Sequence, residues 1–124
     1  MPSTIRVLIA DDHRLFAEAL EAILDSEPDI EVVGRARNGE EAVEQALALK
    51  PDVILMDIAM PGVDGVEATK RIRRKERDAC VLMLTGSNSR TDVARSREAG
   101  AAAYVTKDRI AAQLIEAIRE LAPG

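Results

Sequence analysis

Apolar residues in this chain are grouped in two ways, as short unbroken runs and as stripes with a period near four. The most compact run is Val53-Ile54-Leu55-Met56, closed by Asp57 and turned by Pro61-Gly62. A run that is apolar at every position predicts a strand covered on both faces, as in a parallel sheet. Ile5 to Ala10 predicts a first strand, ended by Asp11-Asp12. From His13 the period changes. Leu15, Phe16, Ala19, Leu20, Ile23 and Leu24 fall in pairs four apart and predict one buried stripe on a helix. Asp12 is the expected N-cap of that helix, and Glu27-Pro28-Asp29 its end. Ile30 to Ala36 predicts a second strand, and the charges of Glu31 and Arg35 within it suit a sheet edge.

Two capping-box spacings follow, Asn38 to Glu41 and Asp64 to Glu67, and each opens a helix. The first carries Ala42, Val43, Ala46 and Leu47 on its apolar face and stops at Lys50-Pro51; the second runs to about Arg74. Ala79 to Leu84 predicts a fourth strand, ended by Thr85-Gly86-Ser87-Asn88. A helix from Arg90 to Ala99 comes next, stopped by Gly100. Val93 is its one large apolar side chain, so weak anchoring is expected. Ala101 to Val105 predicts a fifth strand at the other edge, ended by Thr106-Lys107-Asp108. Ile110, Ala111, Leu114, Ile115, Ile118 and Leu121 stripe a last helix, which Pro123-Gly124 breaks. Strands and helices thus alternate five times with short connections. The expected fold is α/β: one domain over residues 1–124, a doubly wound five-stranded parallel sheet with right-handed crossovers and strand order 2-1-3-4-5.

Composition narrows the function. The 124 residues carry a net charge of −5. DNA affinity rests largely on Lys and Arg contacts to phosphate, so no direct nucleic-acid binding by this domain is expected. Phe16 and Tyr104 are the only aromatics, too few for a base-stacking platform. Cys80 is the only cysteine, which excludes an internal disulfide, and no Cys/His zinc pattern is present. Within the run Cys80 to Leu84 it reads as a small buried hydrophobe. No segment approaches the roughly 20 apolar residues of a membrane span. The first apolar run is too short for a signal peptide and ends in two acids, so a cytoplasmic location is expected.

The switch point of such a sheet lies between strands one and three, and there Asp11, Asp12 and Asp57 should converge. Three carboxylates in one crevice repel each other unless a cation is present. Hard oxygen ligands suit Mg²⁺. Thr85 and Lys107 end the two neighbouring strands, and a hydroxyl with an ammonium matches the needs of a phosphoryl group. Asp57 is then a candidate nucleophile, since carboxylates form aspartyl-phosphates.

With these residues in place, the whole chain resembles the receiver domain of two-component response regulators, the CheY-like fold. The resemblance rests on Asp11-Asp12 after strand one, Asp57 after strand three, Met60-Pro61-Gly62 behind it, Thr85 after strand four and Lys107 after strand five. Tyr104 stands where the family's aromatic switch residue lies. Ala10-Asp11-Asp12-His13 and Lys107-Asp108 resemble the NarL/FixJ (LuxR-type) subgroup, whose members usually carry a helix-turn-helix DNA-binding domain downstream, outside this chain. The resemblance implies that Asp57 accepts a phosphoryl group from a sensor histidine kinase. It implies that Asp11 and Asp12 position Mg²⁺, Asp12 directly, and that Asp57 and the backbone carbonyl of Ala59 add ligands. Lys107 would pair with phosphoryl oxygens, Thr85 would bind another, and Tyr104 would report the change to the surface. A homodimer on phosphorylation and control of transcription complete the expectation. Four positions depart from the family's usual pattern: Ala59 and Ser87 are small, and Ala102-Ala103 replace a more usual Asp-Gly. The first two bear on the lifetime of the phosphorylated state.

Each residue also has a plainer role. Asp11 would serve as a helix cap, Thr85 as a turn residue, Lys107 as a solvated loop lysine and Tyr104 as filler at a sheet edge. His13 opens a helix and reads as a surface residue, although its type suits phosphate or metal. The basic run Lys70, Arg71, Arg73, Arg74, Lys75 and Arg77 complements a helix C-terminus and reads as a solvated face. Three other functions compete. A Mg²⁺-dependent phosphatase usually shows Asp-x-Asp after the first strand, where this chain has adjacent acids. A nucleotide or flavin module needs a Gly/Ser/Thr-rich loop there, and Asp11-Asp12-His13 is the opposite charge. A receiver that no longer takes phosphate is opposed by the complete residue set.

Overall fold

The computed structural model describes residues 4–86 and 90–122. Ser87-Asn88 and the terminal Pro123-Gly124, named above, lie outside the described residues. Five parallel strands form one sheet: β1 (Ile5–Ala10), β2 (Ile30–Ala36), β3 (Val53–Asp57), β4 (Val81–Thr85) and β5 (Ala103–Thr106), in the order β2-β1-β3-β4-β5. The helices are α1 (Arg14–Asp25), α2 (Gly39–Leu49), α3 (Gly65–Lys75), α4 (Arg90–Ala99) and α5 (Ile110–Leu121). This is the expected doubly wound fold.

The two-sided cover follows from strands that are apolar throughout. Successive side chains point to opposite faces. Val7, Ile9, Leu55, Leu82 and Leu84 face Leu20 and Leu24 of α1 and Leu114 and Ile118 of α5. Leu8, Ile54, Met56, Val81 and Met83 face Ala42 and Ala46 of α2 and Val66, Ala68 and Ile72 of α3. Burying each large side chain contributes about 1.5–3 kcal/mol, so neither face is dispensable.

Helix starts were read well where a side chain caps. Asn38 accepts the Glu41 N–H at 2.9 Å, and Asp64 accepts the Glu67 N–H at 2.8 Å. The first box is rearranged, because Glu41 returns its bond to the Arg37 N–H at 3.0 Å and not to Asn38. At α1 the expectation fails. His13, not Asp12, is the N-cap, and no side chain caps the helix. The carboxylate of Asp11 takes the His13 N–H instead, at 2.8 Å.

The stripe of α1 is also corrected. Ala17, Leu20 and Leu24 are its buried residues, whereas Leu15 is 80% exposed. At about 100° per residue, Leu15 stands roughly 140° from Leu20 around the helix. Pairs four apart had blurred that phase. Strands β4 and β5 each begin two residues later than expected. Cys80 therefore precedes β4 and is only half-buried, and its burial raises its thiol pKa above the ordinary value.

Candidate functional site

Strand register assembles the site. Ala10 pairs with Met56, so Asp11 stands level with Asp57 across the β1–β3 gap. Asp57 pairs with Leu84 and Thr85 with Thr106, so Thr85 lies one step beyond the level of Asp57, and Lys107 follows Thr106 at the start of a 3-10 turn over Lys107–Arg109. The chain folds this way because β1 and β3 are neighbours with opposite winding on either side, which opens a crevice at their carboxyl ends.

Asp57 is buried at the end of β3. Its Oδ1 accepts the Ala59 N–H at 3.1 Å, and its Oδ2 lies 3.4 Å from Lys107 Nζ. Lys107 Nζ is also 3.7 Å from Asp11 Oδ2. Burial pushes the Asp57 carboxyl above the ordinary carboxylate range; the Ala59 N–H opposes the shift, the charge of Asp11 adds to it, and Lys107 opposes it again. Asp11 Oδ2 is buried without a hydrogen-bond partner. A carboxylate oxygen left so is costly, and a hard cation in the crevice would satisfy it.

Ligand atoms of Asp11, Asp12, His13 and Asp57 all lie within 4.8 Å of one another. The three expected carboxylates are thus brought together, with Lys107 beside them. Thr85 is fully buried at the end of β4, and Ala59 is exposed two residues after Asp57. Tyr104 is not in the crevice. It lies on β5 with 39% of its surface exposed. The plainer role of His13 is only half right: its side chain is 65% exposed, yet Nδ1 turns in to 3.3 Å from carboxylate oxygens of both Asp11 and Asp12.

Two supporting residues escaped the sequence reading. Phe16 holds Lys107, whose Nζ sits 4.5 Å from the ring centroid. Its place on the first turn after the acid pair was the available signal. Gly65 lets α3 begin against the end of β3, since a Cβ there would run into the Asp57 carbonyl oxygen. Its position as the first residue of a capped helix gave no hint of that approach. The basic run is likewise not wholly solvated: Arg73 donates to the Ala79 carbonyl at 2.7 Å.

Residues 7–119 match the model of the response regulator receiver domain. The chain belongs to that family. It is 46% identical over 120 residues to the transcriptional regulatory protein LiaR of Bacillus subtilis, covering 97% of this chain and 57% of LiaR. Among solved structures, it resembles the receiver domain of a NarL response regulator from Mycobacterium tuberculosis, with 33% identity, a TM-score of 0.91 and 96% of each chain covered. It also resembles a chain of the CheX-CheY-BeF3-Mg²⁺ complex from Borrelia burgdorferi, with 26% identity, a TM-score of 0.89, and 96% of this chain and 90% of that one covered. The chain spans between about half and three-fifths of the curated relatives it matches. Within two-component systems, a receiver is a phosphorylation-dependent switch. Among the described residues, no helix is long and apolar enough to cross a membrane.

Proposed function

We propose that Asp57 accepts a phosphoryl group from a sensor histidine kinase, and that the modified crevice resets the surface around α4 and β5. One observation carries this reading: the buried Asp57 carboxylate converges with Asp11, Asp12 and Lys107 in a crevice where Asp11 Oδ2 lacks a hydrogen-bond partner. That oxygen, which has Lys107 Nζ at 3.7 Å but no hydrogen bond, and the carboxylate set fit Mg²⁺. Asp11, Asp12, Asp57 and the Ala59 carbonyl would hold the ion, Asp12 directly. When bound, it supplies charge neutralisation for carboxylate and phosphoryl oxygens. The similar chain from a complex solved with BeF3 and Mg²⁺ supports a site for such a cation.

The protein residues do the rest. An Asp57 oxygen forms the bond to phosphorus as the donor's P–N or P–O bond breaks, and the leaving group carries away the electron pair and takes a proton. Lys107, seated on Phe16, pairs with the phosphoryl oxygens. The Thr85 hydroxyl binds another of them, and its movement toward the phosphoryl group shifts the end of β4. Tyr104 then turns from its exposed position and alters the face formed by α4, β5 and α5. We assign the same residues to promoting the chain's own phosphorylation and dephosphorylation. A cytoplasmic setting, a homodimer formed on phosphorylation and a transcriptional output through a downstream helix-turn-helix domain belong to the same proposal. The homology to LiaR, a transcriptional regulatory protein of which this chain covers 57%, supports the transcriptional output.

Incubation with Mg²⁺ and acetyl phosphate should add one phosphate to the chain by intact mass, and Asp57→Asn should abolish the addition. Equal labelling of that variant would assign the acceptor elsewhere.

A further inference from the structure

We propose that His13 is a further metal ligand of the crevice, which makes it a site for imidazole-accepting first-row dications such as Ni²⁺ and Cu²⁺ as well as for Mg²⁺. The inference rests on the metal site proposed above and adds a residue and a cation class to it.

The geometry points there. Nδ1 of His13 lies 3.3 Å from Asp11 Oδ1, 3.3 Å from Asp12 Oδ1 and 3.8 Å from Asp57 Oδ2. Ligands about 2.1 Å from one ion are spaced about 3.0 Å apart in an octahedron and about 3.4 Å apart in a tetrahedron. The nitrogen-to-oxygen spacings are thus close to those that a single ion imposes. They are also hydrogen-bond and ion-pair distances, and the ligand atoms as a set spread to 4.8 Å, so binding one ion would draw the set together and displace a proton shared with Asp11. The backbone contributes: the His13 N–H is bonded to Asp11 Oδ1 at 2.8 Å, which fixes the start of α1 against the crevice. Independently, the fully buried Asp11 Oδ2 has no hydrogen-bond partner.

Chemistry then sets the preference. Neutral imidazole with its proton on Nε2 offers a lone pair at Nδ1. Mg²⁺ favours oxygen and keeps several waters, so it gains little from that nitrogen. Ni²⁺ and Cu²⁺ accept imidazole readily and bind mixed N/O sites more tightly. His13 therefore shifts the crevice toward these ions.

The chain has one histidine, so the test is clean if no histidine tag is attached. Pulsed electron paramagnetic resonance of the Cu²⁺-loaded chain should show modulation from one remote imidazole nitrogen, absent in His13→Gln. By calorimetry, Ni²⁺ affinity should fall on the order of tenfold in His13→Gln, while Mg²⁺ affinity should change less than about twofold. The double variant Asp12→Asn, Asp57→Asn should lose the modulation too. Bound Cu²⁺ without imidazole modulation would overturn the proposal while leaving the Mg²⁺ reading intact. So would an unchanged Ni²⁺-to-Mg²⁺ affinity ratio in His13→Gln, or modulation that survives in the double variant. Failure of the wild type to bind Mg²⁺ at all would overturn the metal reading on which it stands.

Discussion

Helices α4 and α5 flank the same short strand but are held very differently. Over 12 residues, α5 buries Ile110, Leu114 and Ile118 against the sheet. Across its 10 residues, α4 buries only Ser96 and Ala99, with Val93 half-buried. Ser96 turns its hydroxyl back to the Asp92 carbonyl at 2.8 Å, so even that buried position contributes little to packing on the sheet. Large apolar side chains set most of a helix's anchorage. The comparison teaches where this domain keeps its freedom. The α5 flank is packed firmly and the α4 flank thinly, which leaves α4 the freer of the two to change position.

Truncation should expose the contrast most strongly. Leu114→Ala in α5 is expected to cost about 2–5 kcal/mol in urea unfolding. Next is the close approach of α3 to β3: Gly65→Ala should cost about 1–3 kcal/mol, because a Cβ meets the Asp57 carbonyl and the backbone has to move. The same variant should slow phosphorylation. Val93→Ala in α4 should cost less than about 1.5 kcal/mol. A loss at Val93 equal to that at Leu114 would break the comparison.

The smallest effect concerns pH. Asp57 has a folded-state pKa above its ordinary value, so the folded chain holds that proton more tightly than the unfolded chain does. Its contribution to stability is fully present below the ordinary carboxylate range and is lost as pH rises through the raised value. Without divalent cation, the urea midpoint of the wild type should fall as pH rises over that window, and Asp57→Asn should flatten the dependence. A steeper fall in the variant would contradict the burial argument.

Much of this was legible in the sequence. Fully apolar strands such as Val53 to Met56 announce a sheet covered on both sides, and Asp57 marks where the cover ends. Order and register then brought Asp11, Asp12, Asp57 and Lys107 together as expected. What stayed hidden depends on three-dimensional phase. Leu15 looked apolar and therefore buried, but its angle on α1 decides otherwise. Asp12 looked like a cap, but Asp11 takes the N–H at the helix start and His13 stands at the cap position. The direction of the His13 imidazole, the seat of Lys107 on Phe16 and the approach of Gly65 to Asp57 are contacts between distant or turning segments, which periodicity does not encode.

The most direct test of the account follows amide exchange in residues 90–106 and in α5 after Mg²⁺ and acetyl phosphate are added, in the wild type and in Thr85→Ala. Phosphorylation is expected in both proteins, with altered exchange across α4 and β5 in the wild type, little change around Leu114 and Ile118, and a much smaller response at α4 and β5 in Thr85→Ala. An equal response at α4 and β5 in the two proteins would contradict the coupling of Asp57 to that flank through Thr85.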